Sequence, residues 1–191
     1  MRIVGGAKRG LKLAEIGEGD AAARLRPTSD RVREAIFNLL QNNPARPDPV
    51  PGARVLDLFA GTGALGLEAL SRGAARVTFV EDGAAGRALI RRNIELMQAM
   101  GATDLFRRDA TGLGRNRGAA FAVVFLDPPY GRGFGETALA SALEGGWLAP
   151  GATVVWEENA PQTPPPGFTA LDQRRYGETW ITLLQAPPWA G

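Results

Sequence analysis

The sequence predicts an α/β fold: a largely parallel sheet of seven strands flanked by helices, preceded by a β-hairpin arm. Three observations carry that prediction. Apolar runs of strand length alternate with helical stretches from Ala53 onward. The first run, Val55-Leu56-Asp57-Leu58-Phe59-Ala60, opens into the glycine turn Gly61-Thr62-Gly63. The last strand-like runs follow one another closely, which suits an antiparallel pair at one edge of the sheet.

Taken in order, Arg2-Ile3-Val4 and Leu11-Lys12-Leu13 are short extended segments separated by Gly5-Gly6-Ala7-Lys8-Arg9-Gly10, a small hairpin. After Pro27, the residues Thr28, Ser29 and Asp30 offer caps for a helix running to about Leu40. Its apolar stripe is expected from Val32, Ala35, Ile36 and Leu39, with Arg31, Arg33 and Glu34 toward water or a ligand. Residues 41–52 hold four prolines and one glycine and read as a linker. Residues 1–52 therefore form an arm, helix and linker, and residues 53–191 the main domain. In that domain strands are expected over 53–58, 76–80, 102–107, 120–126, 152–156, 166–172 and 179–184. Helices are expected over 64–72, 84–100 and 136–145, with a short one near 110–116. Gly83 and Gly86 lower helix propensity where the second of these helices starts.

A chain of 191 residues can bury one substantial core. It has no cysteine and no histidine, which excludes disulfides, thiol-rich metal sites, His-dependent triads and histidine-ligated metals. A purely carboxylate site for magnesium stays open, but nothing in the spacing demands one, and no metal is expected. No apolar run approaches the roughly 20 residues that span a bilayer, and the opening residues lack the pattern of a secretory signal. The expected setting is cytoplasmic, with no membrane partner and a monomeric chain. Net charge is +2, but residues 1–33 carry eight Lys/Arg and four Asp/Glu, against fourteen and sixteen in the remainder. The first segment is suited to gripping a polyanion, unless its charges merely form a solvated face.

Open parallel sheets bind ligands beyond the carboxyl ends of their strands. Gly61 and Gly63 let backbone approach a ligand without a Cβ in the way. Asp57, near the end of the first main-domain strand, can accept a hydrogen bond from a ligand amine; its alternative role is a turn cap. Glu81 ends the second strand, where its carboxylate can receive both hydroxyls of a ribose or simply face solvent. Asp109 follows the third strand region and can meet an adenine amine. The string Gly61-Thr62-Gly63-Ala64-Leu65-Gly66 also matches G-x-G-x-x-G, so a nicotinamide or flavin site stays open, while the phosphate-loop pattern is missing.

Asp127-Pro128-Pro129-Tyr130, following the apolar run Phe121-Ala122-Val123-Val124-Phe125-Leu126, argues against a dinucleotide oxidoreductase. Asp127 can accept one N–H of a ring amine and the Pro128 carbonyl the other, turning the nitrogen lone pair toward a sulfonium methyl. Proline has no competing N–H and a fixed φ. Tyr130 can stack on the ring and expel water. These features point to methyl transfer, in which positioning and preorganised electrostatics dominate. Gly131, Gly133 and Gly135 allow a closely approaching loop. Arg2, Lys8, Arg9 and Lys12 are candidate phosphate contacts on the arm, and Arg24, Arg26, Arg31 and Arg33 extend the path. Arg174-Arg175-Tyr176-Gly177 is a further candidate anion or base contact. The four tryptophans read as packing residues.

The same residues resemble the RsmD-like bacterial small-subunit ribosomal RNA guanine-N2 methyltransferases. The likeness runs through Met1-Arg2-Ile3-Val4-Gly5-Gly6, the segment from Arg26 to Glu34, Asp57 to Gly63, Leu65 to Ala74, Phe79-Val80-Glu81, Asn93, Asp127-Pro128-Pro129-Tyr130 and Tyr176-Gly177-Glu178-Thr179. Gly61-Thr62-Gly63 departs mildly from the common Gly-Ser-Gly, and residues 14–23 are less family-like. The resemblance implies a class I S-adenosylmethionine-dependent methyltransferase fold, Rossmann-like. It also implies transfer from S-adenosyl-L-methionine to N2 of guanine 966 of 16S ribosomal RNA in the small subunit or its assembly intermediate. It gives Asp57, Gly61 and Gly63 the cofactor site, Glu81 the ribose, Asp109 the adenine, and Asp127, Pro128 and Tyr130 the target amine. DNA adenine-N6 methylation is the nearest alternative, and an inactive RNA-binding assembly protein comes from another class.

Overall fold

The computed structural model describes residues 1–15, 28–44 and 46–189. Its centre is a seven-stranded sheet in the order β3-β2-β1-β4-β5-β7-β6. The strands are β1 (Arg54–Leu58), β2 (Arg76–Val80), β3 (Thr103–Phe106), β4 (Phe121–Leu126), β5 (Leu148–Glu158), β6 (Thr169–Tyr176) and β7 (Thr179–Gln185). The first five are mutually parallel, while β7 runs antiparallel to both β5 and β6. This is the Rossmann-like mixed sheet of class I methyltransferases, with the expected antiparallel pair at one edge. Because the order reverses between β1 and β4, a crevice opens at their carboxyl ends.

The helices are α1 (Asp30–Gln41), α2 (Ala64–Ser71), α3 (Ala84–Met97) and α4 (Phe134–Glu144). Strand alternation divides the core between two faces. Val55, Phe79, Val123 and Phe125 pack with Ile36, Phe37, Leu67 and Ile90 on one side. Leu56, Leu58, Val124 and Leu126 pack with Ala138, Leu139, Trp147 and Trp156 on the other. Among the described residues no helix is long and apolar enough to cross a membrane.

Several boundaries differ from expectation for local reasons. The third helix stops at Met97 because Gln98 turns left-handed at φ 56°, and a 3-10 turn over Met100–Ala102 leads into β3. The helix expected near 110–116 is only a 3-10 turn, Ala110–Gly112. The strand expected over 152–156 extends over Leu148–Glu158, and that expected over 166–172 is Thr169–Tyr176. Gly86, which lowers helix propensity, stands where a Cβ would lie 2.9 Å from Glu81 Cγ and 3.0 Å from the Gly61 oxygen.

The amino-terminal hairpin forms, with Ile3 N–H donating to Leu11 O at 2.9 Å and Gly10 N–H to Ile3 O at 2.8 Å. It lies against the domain: Ile3 and Leu13 are buried in the same core as Val55 and Phe125. Val4 and Gly5 donate their N–H groups to the two carboxylate oxygens of Glu68 at 2.9 and 2.8 Å. Asn93 of α3, fully buried, accepts the Ala14 N–H at 2.6 Å and donates to Thr62 O at 3.0 Å, tying the hairpin's end to the glycine turn.

In α1 the buried positions are Arg33, Ile36, Phe37 and Leu40, a stripe rotated from the expected one. Phe37 sets the rotation, its ring 5.5 Å from that of Phe125 on β4. Arg33 is corrected accordingly. It has no exposed surface, and its guanidinium is held by Asp30 at 2.8 Å, Glu68 at 3.6 Å and the carbonyls of Arg2 and Thr28. A group so enclosed does not reach a phosphate; it joins the hairpin to the helix.

Candidate active site

At the carboxyl ends of β1 and β4 lies a cavity of about 410 Å³, within the range of small-molecule sites. Asp57, Phe59, Gly61, Thr62 and Glu81 line one end, and Thr28, Asp127, Pro128, Pro129 and Tyr130 the other. Two segments far apart in sequence are thus joined in one space. Gly63 and Asp109 are not among its lining residues.

The glycine turn is built from its neighbours. Glu81 Oε2 accepts the Gly61 N–H at 2.8 Å and Oε1 the Gly83 N–H at 2.7 Å. Asp57 Oδ2 accepts the Gly66 N–H at 2.9 Å, in the first turn of α2. A Cβ at Gly66 would stand 2.5 Å from the Phe79 ring, so this third glycine serves helix-to-sheet packing. Gly61 and Gly63 take φ 57° and 78°, and Phe59 takes φ 57° without being glycine. Such a backbone costs of order 1–3 kcal/mol and persists where surroundings enforce it.

Burial dominates the electrostatics. It pushes Asp57 up to about 8, the charge of Glu81 adding to the effect and the Gly66 N–H opposing it. Burial likewise raises Glu81, against the N–H groups of Gly83 and Gly61. Asp127 is raised well above the carboxylate range, first by burial and then by Glu157 and Asp57, with the Thr28 hydroxyl opposing. Burial and the charges of Glu157 and Asp127 also raise the Tyr130 phenol.

Asp109 is exposed and caps its own turn, accepting from Thr111 N at 2.8 Å and Thr111 Oγ1 at 2.7 Å. On the outer surface Arg2, Lys8, Arg9, Lys12 and Arg31 are all exposed. Arg24 and Arg26 lie outside the described residues.

Residues that sequence reasoning passed over complete the base end of the cavity. Thr28 Oγ1 lies 2.9 Å from Glu157 Oε2 and 3.5 Å from Asp127 Oδ2. Tyr130 donates its hydroxyl to Glu157 Oε1 at 3.1 Å. Glu158 accepts the Gly131 N–H at 3.1 Å, and Arg132 stands exposed at the rim. Two acids ending an otherwise apolar run, Trp156-Glu157-Glu158, were the one available signal.

The donor set distinguishes between ligands. Asp57, Glu81, Asp82 and Asp127 line the cavity against one guanidinium, Arg132. Such acids suit ribose hydroxyls and a cationic ligand, whose charge favours their ionised form, while a single guanidinium offers little to the diphosphate of a dinucleotide. The residues fit S-adenosyl-L-methionine, and Asp57, Gly61 and Glu81, which line the cavity, could hold it.

A family profile described as conserved hypothetical protein 95 matches residues 1–185. The chain is 38% identical over 189 residues to ribosomal RNA small subunit methyltransferase D of Escherichia coli, covering 97% of this chain and 89% of that protein. The namesake from Haemophilus influenzae is 33% identical over 191 residues, covering 97% and 93%. Among solved structures, the candidate methyltransferase yhhF from Escherichia coli superposes with a TM-score of 0.82 at 35% identity, over 99% of each chain.

Proposed function

The chain belongs to the conserved hypothetical protein 95 family of RsmD-like methyltransferases, and on that premise we propose that it methylates ribosomal RNA of the small subunit. The proposed reaction carries a methyl group from S-adenosyl-L-methionine to the exocyclic N2 of one guanine, position 966 of 16S RNA. The observation that supports this reading is the continuity of one cavity from the Gly61 turn to Asp127-Pro128-Pro129-Tyr130.

When bound, the cofactor supplies an electrophilic methyl group carried on a sulfonium. Asp127 accepts an N–H of the target amine and directs the nitrogen lone pair, which is otherwise delocalised into the ring. Pro128 and Pro129 hold that acid in place, and the Tyr130 ring covers the base and excludes water. The amine becomes acidic only as the methyl group arrives, so Asp127, in its ionised form, takes up the proton late. Arg2, Lys8, Arg9, Lys12 and Arg31 face solvent and provide the phosphate contacts.

The test is methyl transfer from radiolabelled S-adenosylmethionine to unmethylated small subunits, naked ribosomal RNA and adenine-containing DNA, with nucleoside identification. N2-methylguanosine at a single small-subunit position is expected. Label confined to N6-methyladenosine in DNA, or no transfer to any substrate, overturns the reading.

A further inference from the structure

A second cavity, of about 560 Å³, shares no lining residue with the first. Phe106, Leu113 and Trp147 form its apolar wall, and Arg108, Arg115 and Arg117 supply its polar side chains. No acid lines it, whereas four carboxylates and one guanidinium line the candidate active site. The charge preference is inverted between the two. Residues 106–118 carry four arginines and one acid, within a stretch, 34–191, where acids outnumber bases sixteen to fourteen.

The loop that bears these arginines is fixed in place. Trp147 Nε1 donates to Gly114 O, Leu113 N–H to Ser141 Oγ and Asn116 N–H to Gly145 O, each at 2.8 Å. The Asn116 amide turns to the carbonyls of Ala119 and Gly146, while Arg115 and Arg117 on either side of it are exposed. Neither arginine side chain has an ion pair or hydrogen bond among the described residues. Arg108 lies with its guanidinium 5.7 Å from the ring centres of both Phe106 and Trp147. The neighbouring acids do not neutralise this face. Asp109 turns to Thr111, and Glu144, which lines an adjoining cavity with Arg115, forms no ion pair among the described residues.

Exposed cations spread along a fixed loop, rather than converging on one buried point, suit the repeated phosphates of a polymer better than a single small anion. We propose that Arg108, Arg115 and Arg117 form a second RNA-binding surface, which takes backbone phosphates of the RNA outside the target nucleotide. Phe106, 38% exposed, adds a ring edge beside those cations for an unpaired base. The surface adjoins the active site through the sheet, because Phe106 O accepts the N–H of Glu81, a lining residue of the first cavity, at 3.1 Å. The two cavities stand at neighbouring strand ends, and one RNA can occupy both. The inference rests on the RNA substrate proposed above.

The test measures binding of protein-free 16S ribosomal RNA to the full chain as a function of salt, by filter binding with S-adenosylhomocysteine present. Arg115→Gln/Arg117→Gln is compared with the intact protein and with Arg91→Gln/Arg92→Gln, which removes the same charge from exposed positions on α3. Each lost phosphate contact lowers the slope of log K against log salt by roughly 0.7–1. The slope is therefore expected to become shallower by about 1.4–2 in the first double variant and to hold in the second. S-adenosylhomocysteine affinity should be retained in both. An unchanged slope in Arg115→Gln/Arg117→Gln, or an equal change in the α3 variant, overturns the proposal. Weakened binding confined to assembled small subunits, with protein-free RNA unaffected, makes an acidic protein the partner and also overturns it. If small subunits are methylated on guanine while the slope ignores Arg115 and Arg117, the functional reading stands and this inference fails. If the slope depends on them but no substrate is methylated, the inference stands and the functional reading fails.

Discussion

Glu81 Oε2 sits 2.8 Å from the Gly61 backbone nitrogen, so the acid that ends β2 holds the turn that ends β1. The same carboxylate accepts Gly83 N–H through its other oxygen, and its body packs under Gly86. It is therefore both a proposed ribose ligand and a brace for the loop beside it. Glu81→Ala should weaken S-adenosylmethionine binding about 10- to 100-fold, the range for losing hydrogen bonds to a charged group. Glu81→Gln, which retains one acceptor, should lose less. Isothermal titration of both variants checks the order.

Asp57 makes stability depend on pH. Its folded-state value of about 8 lies above the ordinary 3.8, so between those values the folded chain holds a proton that the unfolded chain has lost. Its stabilising contribution is complete below the lower value and disappears as pH rises through the upper one. Denaturation midpoints should fall as pH is raised from about 5 to 8, with Asp57 contributing at most ~1.4 kcal/mol per pH unit. In Asp57→Asn the slope should be shallower, although Glu81 and Asp127, raised in the same direction, keep part of it.

Gly66 has no room for a methyl group. An added Cβ would meet Phe79 at 2.5 Å and Val77 at 2.7 Å, both inside the core under α2. Gly66→Ala should destabilise the fold by roughly 1–3 kcal/mol despite alanine's better helix propensity. Chemical denaturation at fixed pH measures it.

Glu68 joins the hairpin to the domain. Fully buried, it receives Val4 and Gly5 N–H groups, Arg72 at 2.9 Å and Arg33 at 3.6 Å. Glu68→Ala leaves two buried guanidinium groups short of a partner and should cost about 3–5 kcal/mol. Hydrogen exchange should show lost protection at Val4 and Gly5 first, with the β1 and β4 amides less affected.

How much was legible follows from how far each feature reaches along the chain. Asp57, Gly61 and Glu81 could be read because each sits at the end of an apolar strand whose topology brings such ends together. Asp127 was legible for the same reason, with Pro128 and Pro129 marking the turn. Glu157 and Thr28 were not, because their contact spans 129 positions and neither sits in a motif that demands the other. Arg33 was misread because a charged side chain on an amphipathic helix ordinarily faces water. Only the docking of Glu68 and Asp30 against it makes its burial tolerable.

By itself, the sequence determined the strand and helix alternation, the parallel sheet with its antiparallel edge and the acids at the strand ends. These follow from the local periodicity of apolar residues and from turns that few residue types can make. The tertiary structure alone decided which side chains meet Asp127, which arginines reach solvent and how the hairpin lies. Those depend on side chains meeting across the sheet, where a buried charge must find its partner.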